Sequence, residues 1–319
     1  MGEIAKINNI EIWWEDFGDK SNQTILLIMG ANANCMQWPD ELIGNLVSRN
    51  YHVVRFDNRD VGKSTRFGKE SIYSKFARLF VPEFLLSFFV NKLFDSIIDD
   101  DGNLKESDIK DTDYDLDDMA KDAVSLLDHL NIDKAHIVGA SMGGMITQLI
   151  GLNYPERALS LVPIMSSPGM GDEELSDMTS SLIKGIQESF LLDAKGRHED
   201  AVVRIYKELT GSRFPFNEAK FREDLIPVMA HGNNPFCKHG EAAGSSPSRK
   251  SRLSEINIPT LVIHGTEDAI LGLDHGLALA DNIPNAKKYI MDGVGHEIPE
   301  ELLPEITEKM IETFKEASQ

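Results

Sequence analysis

With 319 residues the chain can bury a large core and could form one α/β domain with insertions. Its 32 basic against 52 acidic residues leave a formal net charge of −20, which disfavours nucleic acid and anionic membranes as partners. The two cysteines, Cys35 and Cys237, give neither a disulfide framework nor zinc spacing, and the stretch Met1-Gly2-Glu3-Ile4-Ala5-Lys6 has no apolar signal core, so a cytoplasmic protein without metal or cofactor is expected.

Residues 10–14 and 25–29 read as strands with a turn at Gly18-Asp19 between them. Residues 39–49 read as a helix and 51–57 as the next strand. The segment from Phe76 to Phe94 is apolar, but Arg78, Pro82, Glu83, Asn91 and Lys92 interrupt it too often for a bilayer span. Its spacing after Pro82 suits one or two amphipathic helices, either packed on a neighbouring cap or serving as a lid toward lipidic substrates or a second subunit. Acidic residues cluster between Asp99 and Asp122, where a solvated loop and a helix N-terminus explain them better than a calcium loop. Residues 115–130 read as a helix, 135–138 as a strand, 142–153 as a helix closed by Pro155, and 159–165 as a strand. Such alternation implies a mostly parallel sheet with helices on both faces. It stops from about 167 to 250, where the pattern is helical and irregular, and resumes near Ile258 with strands at 259–265 and 289–292. The expected division is a core of residues 1–166 and 251–319, carrying a lid-like insertion at 67–110, and a helical cap at 167–250.

The chemistry-bearing motif is Gly139-Ala140-Ser141-Met142-Gly143, between the 135–138 strand and the 142–153 helix. Glycine-x-serine-x-glycine in that setting is a nucleophile elbow: the turn is so sharp that flanking side chains would collide, and the serine is thrust outward. A dinucleotide-phosphate turn fits poorly, because Ser141 stands where G-x-G-x-x-G needs its second glycine. A serine needs a base, and the base needs an orienting acid, in the chain order serine, acid, histidine. Asp268 follows the 259–265 strand, and His296 follows the 289–292 strand. In a parallel sheet both then share the edge that carries Ser141. Glu267 competes with Asp268, and Asp292 reads as a structural acid. His264 reads as a packing or hydrogen-bonding residue at the sheet edge; His52, His129 and His136 read as surface or packing positions. The oxyanion donors are expected to be the backbone N–H groups of Met142 and of Ala31, in the Gly30-Ala31-Asn32 loop after the 25–29 strand. Asn32, Trp38, Met145 and Met170 form the expected pocket wall, with Met142 and Met165 adding adaptable apolar surface. Arg59 reads mainly as a loop tie, with a substrate-carboxylate clamp as the lesser reading.

These residues resemble the α/β-hydrolase superfamily over about residues 10–315. Met29-Gly30-Ala31 stands where many members have His-Gly-x; residues 55–64 are similar to the D-x-R-G-x-G-x-S loop; residues 114–120 open a helix before the elbow. The stretch 38–42 with 56–60 looks most like aclacinomycin methylesterase-like proteins. The resemblance implies the α/β-hydrolase fold, an eight-stranded mostly parallel sheet, and a cofactor-free serine carboxylic ester hydrolase. The expected substrates are small to medium esters with apolar groups. Serine at 141 argues against relatives with an aspartate nucleophile. Lactonases, carbon–carbon bond hydrolases and perhydrolases share the same triad, and a ligand receptor can retain it without turnover. Oligomeric state stays open, with the cap and the 76–94 segment as candidate self-association surfaces. Two departures stand out: Met29 replaces histidine, and the 67–110 stretch is longer than the resemblance implies.

Overall fold

Buried apolar runs set the centre of the fold. β3 (Thr24–Ile28), β4 (His52–Phe56), β5 (Ala135–Ala140) and β7 (Leu261–Gly265) are buried at every position, as strands covered on both faces must be. The computed structural model describes residues 2–69, 112–170, 172–232 and 234–317, with further helical positions at 85, 87, 90–92, 94 and 96. Among them one eight-stranded sheet runs in the order β1-β2-β4-β3-β5-β6-β7-β8, with β6 at Ala158–Ile164 and β8 at Lys287–Met291. β1 (Glu3–Ile7) and β2 (Ile10–Phe17) pair antiparallel, β2 joins β4 antiparallel, and every later pairing is parallel. β1 escapes the sequence reading because it is an edge strand with a single fully buried residue, Ala5. At the other edge, β8 begins with two exposed lysines, which blunt it against pairing with another chain.

Side-chain alternation divides the interior into two layers. Leu26, Ile28, Ala135 and Ile137 face α2 (Leu116–His129) and α3 (Met142–Asn153), together with α8 (Leu273–Asn282). Ile25, Leu27, Val138 and Ala140 face α1 (Asp40–Ser48) and α9 (Leu303–Glu316). The α2 helix starts at a capping box, in which the Asp115 carboxylate accepts the Asp118 N–H at 2.8 Å and Asp118 answers the Asp115 N–H. Arg59 ties its loop to this helix through a bidentate pair with buried Asp122, at 2.7 and 2.9 Å.

Between β6 and β7 the described residues carry helices and no strand: α4 (Ser180–Ala194), α5 (His198–Leu209), α6 (Glu218–His231) and α7 (His239–Ser245). Most of the 67–110 insertion lies outside the described residues. Within it, Phe94 is buried and its ring meets Phe190 of α4 edge-on at 5.6 Å, while Leu85 is exposed. Among the described residues no helix is long and apolar enough to cross a membrane.

Far from solvent, His136 stacks on Phe314 with ring centroids 4.2 Å apart, and its Nδ1 meets Ser160 Oγ at 2.8 Å. Burial pushes its pKa down to about 3. An unfolded histidine binds its proton near pH 6.5, so between those values the unfolded chain holds more protons and acid weakens the fold. His136→Phe keeps the ring stack and removes the proton site. Its melting temperature should fall less steeply than that of the parent between pH 6.5 and pH 4.5, as read by calorimetry. Equal slopes would mean that His136 does not drive the acid loss.

Candidate active site

The sharp turn after β5 is built by close backbone contact. A Cβ at Gly139 would stand 2.1 Å from Gly143 O, and one at Gly143 would stand 2.1 Å from Ile28 O at the end of β3. At Gly144 a Cβ would press within 2.5 Å of Ser166 Cβ. The chain can therefore reverse only through the residue between, and Ser141 adopts φ 55°, ψ −119°, a conformation costly for any L-residue with a side chain. The strain is held by flanking bonds: Ser141 N–H donates to Ile164 O at 2.8 Å, and Ser166 Oγ donates to Ser141 O at 2.8 Å. Ser141 is half-buried at the N-terminus of α3, and Met142 supplies one of the first-turn N–H groups that a helix leaves without an internal partner. Gly30 lies close by: a Cβ there would meet Ser141 Cβ at 3.1 Å. That contact brings the Gly30-Ala31-Asn32 loop against the serine, with Ala31 exposed and Asn32 at φ 59°.

Two strands farther across the sheet stands the acid. Asp268 follows β7 and is 6% exposed. Its Oδ1 accepts the Ile270 and Leu271 N–H groups, each at 2.9 Å, which leaves Oδ2 to accept from His296 Nδ1 at 2.7 Å. Burial opposes ionisation of Asp268, but the facing His296, that hydrogen bond and nearby His264 outweigh it and hold the carboxyl below its usual range. Because a carboxylate only accepts, Nδ1 of His296 carries the proton of the pair, which leaves Nε2 as the ring nitrogen turned away from the acid. Of the two acids that the sequence left open, Asp268 is the one bonded to His296. Glu267 turns the other way and accepts the N–H and hydroxyl of Ser212, both at 2.7 Å. Among the described residues no hydrogen bond joins Ser141 to His296; such bonds are often long before substrate binds. His264 is fully buried, its Nε2 bonded to Leu271 O at 2.8 Å, a packing role as the sequence suggests. Asp292 is exposed, and His52 is buried against Thr24 and Asp16.

The helical insertion touches this site from both sides, which the sequence does not reveal. On the His296 side, the His296 N–H donates to Leu209 O at 2.7 Å, Gly211 N–H donates to Glu297 at 2.9 Å, and Arg213 N–H donates to Gly293 O at 2.8 Å. Burial raises the Glu297 pKa against the pull of the Gly211 and Gly295 N–H groups and the Thr210 hydroxyl. On the side of the Gly30-Ala31-Asn32 loop, His239 accepts the Asn32 N–H at Nδ1, at 3.0 Å. Below it, Asp57 Oδ2 meets His231 Nε2 at 2.7 Å, beside buried Cys35. The Cys35, Asp57 and His231 ligand atoms lie within 4.8 Å of one another. A 2.7 Å contact is a hydrogen-bond distance, however, shorter than the roughly 3.3 Å between two ligands on a tetrahedral zinc. Asp57 also accepts the Cys35 and Lys63 N–H groups, so the cluster is satisfied as a polar network.

Of the expected pocket wall, Asn32 is exposed and Met170 is half-buried against the core. Trp38 and Met145 sit inside the two core layers, 1% and 3% exposed, and present almost no surface to a ligand. The residues that sequence reasoning missed, His231, Asn234, His239 and Glu297, are single polar side chains in irregular or helical stretches without a recognisable motif.

A family model described as alpha/beta hydrolase fold matches residues 23–301. A rhodomycin D methylesterase from Streptomyces sp. is 26% identical over 313 residues, covering 92% of this chain and 91% of that protein. A 2-hydroxy-6-oxononadienedioate/2-hydroxy-6-oxononatrienedioate hydrolase from Comamonas testosteroni is 31% identical over 185 residues, covering 56% of this chain and 61% of that protein. Among solved structures, an esterase from Exiguobacterium antarcticum superposes with a TM-score of 0.70 at 18% identity, over 99% of this chain and 100% of that one.

The glycine contacts make a paired test. Gly143→Ala should destabilise by at least about 2 kcal/mol, because backbone atoms of β3 cannot retreat. Gly44→Ala, in α1 with nothing within 4 Å of the new Cβ, should stabilise by about 0.5–1 kcal/mol. Urea unfolding of both variants checks the contrast, and a neutral Gly143→Ala would mean that the turn has slack.

Proposed function

This chain belongs to the α/β-hydrolase fold family, and from that premise we propose that it is a serine carboxylic ester hydrolase working through an acyl-enzyme on Ser141. The observation that carries the reading is the 2.7 Å bond from His296 Nδ1 to Asp268, a carboxylate whose other oxygen is already saturated, on the sheet edge that ends β5 at Ser141. Similarity to a protein named as a methylesterase, over nine-tenths of both chains, supports ester substrates.

The roles follow from the chemistry of each group. Ser141 Oγ attacks the ester carbonyl while His296 Nε2 takes its proton. The proton then passes to the leaving alkoxide, and the alcohol departs. Water deacylates the enzyme by the same route in reverse, and Asp268 stabilises the imidazolium that forms in each half. The Met142 and Ala31 N–H groups receive the negative oxygen of the tetrahedral intermediates. The helical insertion at 167–250 acts as a cap, with Asn32 and Met170 as pocket wall and Trp38 and Met145 as packing behind it. Small-molecule esters with apolar groups are the proposed substrates. A second reading, hydrolysis of a carbon–carbon bond, has the partial similarity to the Comamonas testosteroni hydrolase in its favour. A side-by-side assay on methyl esters and vinylogous 1,5-diketones separates the two.

Ser141→Ala should lower turnover of an activated ester roughly 10⁴–10⁶-fold. A fluorophosphonate should add one adduct to the parent protein, at Ser141, as read by intact mass and peptide mapping. Activity that survives the alanine change would remove the acyl-enzyme reading. Tight ligand binding with negligible parent turnover would point to a receptor instead.

A further inference from the structure

The oxyanion loop is held from outside the core. Gly30 packs on the nucleophile, Ala31 is exposed, and Asn32 takes the left-handed conformation, φ 59°. A loop of that shape has several alternatives close in energy unless something fixes it. The fixing contact is made by His239, the first residue of α7 in the insertion and fully buried. Its Nδ1 receives the Asn32 N–H at 3.0 Å, and its Nε2 faces Arg59 O at 2.7 Å. One neighbour can only donate and the other can only accept, so a single ring form satisfies both: neutral, with the proton on Nε2. Burial pushes the His239 pKa down to about 4, even with the Arg59 carbonyl and Asp60 pulling it upward, and the ring stays uncharged at neutral pH. The Cys237 thiol also takes a bond from the Asn32 backbone, but sulfur is the weaker acceptor.

We propose that His239 is a positioning residue for catalysis: as a neutral Nε2–H imidazole bridging Arg59 O and Asn32 N–H, it sets the Gly30-Ala31-Asn32 loop so that the Ala31 N–H meets the developing oxyanion. The proposal rests on the esterase reading of Ser141. It makes the insertion part of the catalytic geometry, because the group that orients one half of the oxyanion site comes from α7 and not from the sheet.

The test uses two substitutions that split the two bonds of the ring. In His239→Gln the side-chain amide can keep the Nε2 donor, and the Nδ1 acceptor is lost; in His239→Asn an oxygen can take the place of Nδ1. His239→Gln should lower kcat on an activated ester roughly tenfold to a hundredfold, the scale of a misplaced catalytic donor, with KM within about threefold. A trifluoromethyl ketone, whose serine adduct carries an oxyanion, should bind more weakly by a similar factor. His239→Asn should recover most of both losses. A purely structural role would lower melting temperature without this split between kcat and KM and without rescue by asparagine, and would overturn the proposal. So would a kcat for His239→Gln within twofold of the parent. Long-range ¹⁵N spectra of the parent protein give a readout that needs no substitution: the ring should appear as the Nε2–H form at neutral pH, and an Nδ1–H or charged ring refutes the proposal. Should Ser141→Ala retain full activity, it is the esterase reading that fails, whatever the His239 variants do.

Discussion

Backbone packed on backbone at Gly143, under the end of β3, is the constraint from which the rest of the site follows. With Ile28 O where a side chain would go, α3 must start at a fixed height beneath the sheet edge. Gly139, facing Gly143 O, leaves the turn no second way to close. The strain falls on Ser141, the one residue of the turn that carries a reactive atom. The neighbouring strand then shares the load, since β6 supplies both the carbonyl that Ser141 N–H meets and, just beyond its end, the hydroxyl that bonds Ser141 O. The loop after β3 can approach because Gly30 too lacks a side chain. Ser141 and the Gly30-Ala31-Asn32 loop, the proposed nucleophile and oxyanion loop, are thus located by three glycines before any polar side chain is placed.

Polar side chains decide how the insertion sits on this frame. Asp57 and Asp60, from the loop after β4, are both fully buried. Asp60 accepts from the Phe67, Gly68 and Lys238 N–H groups, the Tyr114 hydroxyl and the Asn234 amide. A carboxylate taken out of water needs that many donors to remain charged, and losing one partner of a buried charge costs about 3–5 kcal/mol. Two of these donors lie between α6 and α7, and His231 of α6 meets Asp57. The back of the insertion is therefore anchored by bonds that water cannot replace. Its front combines both kinds of contact: α4 and α5 bury Leu182, Ile183, Ala201 and Val203, Arg204 of α5 pairs with Glu188 of α4 and with Glu208 of its own helix, and α5 meets α6 through Arg222 with Glu199 and Asp200, ion pairs that are all partly exposed. Such pairs contribute about 0–1 kcal/mol each and exchange readily with water.

Legibility in the sequence follows the range of the physics. The elbow is local: strand, glycines, serine and helix lie within twenty residues, and α3 runs over the 142–153 span read from the pattern. The inner strands are equally plain, since burial on both faces demands unbroken apolar runs. β1 is hidden because an edge strand with Glu3 and Lys6 pointing outward has no such run. Asp268 and His296 are legible through position at strand ends, whereas the choice between Asp268 and Glu267 needs the turn at 268–271 that aims one carboxylate inward and the other toward Ser212. Trp38 and Met145 mislead as pocket lining because an apolar residue near a site in sequence looks the same whether it faces the cavity or the core behind it. His239 leaves no signal at all: its partners are the backbone atoms of residues more than 170 positions away.

The placement of those contacts bears on how such an enzyme changes substrate. The loops that carry Asp268 and His296 each present a neighbouring glutamate to the insertion, Glu267 to Ser212 and Glu297 to Gly211, and His296 N–H itself ends on Leu209 O. On the far side, His239 of α7 holds the Asn32 N–H of the Gly30-Ala31-Asn32 loop. An insertion exchanged for another would release the His296 loop and the Gly30-Ala31-Asn32 loop from the groups that hold them. On the proposed roles of these loops, selectivity and rate are coupled through the backbone of residues 209–213 and the ring of His239.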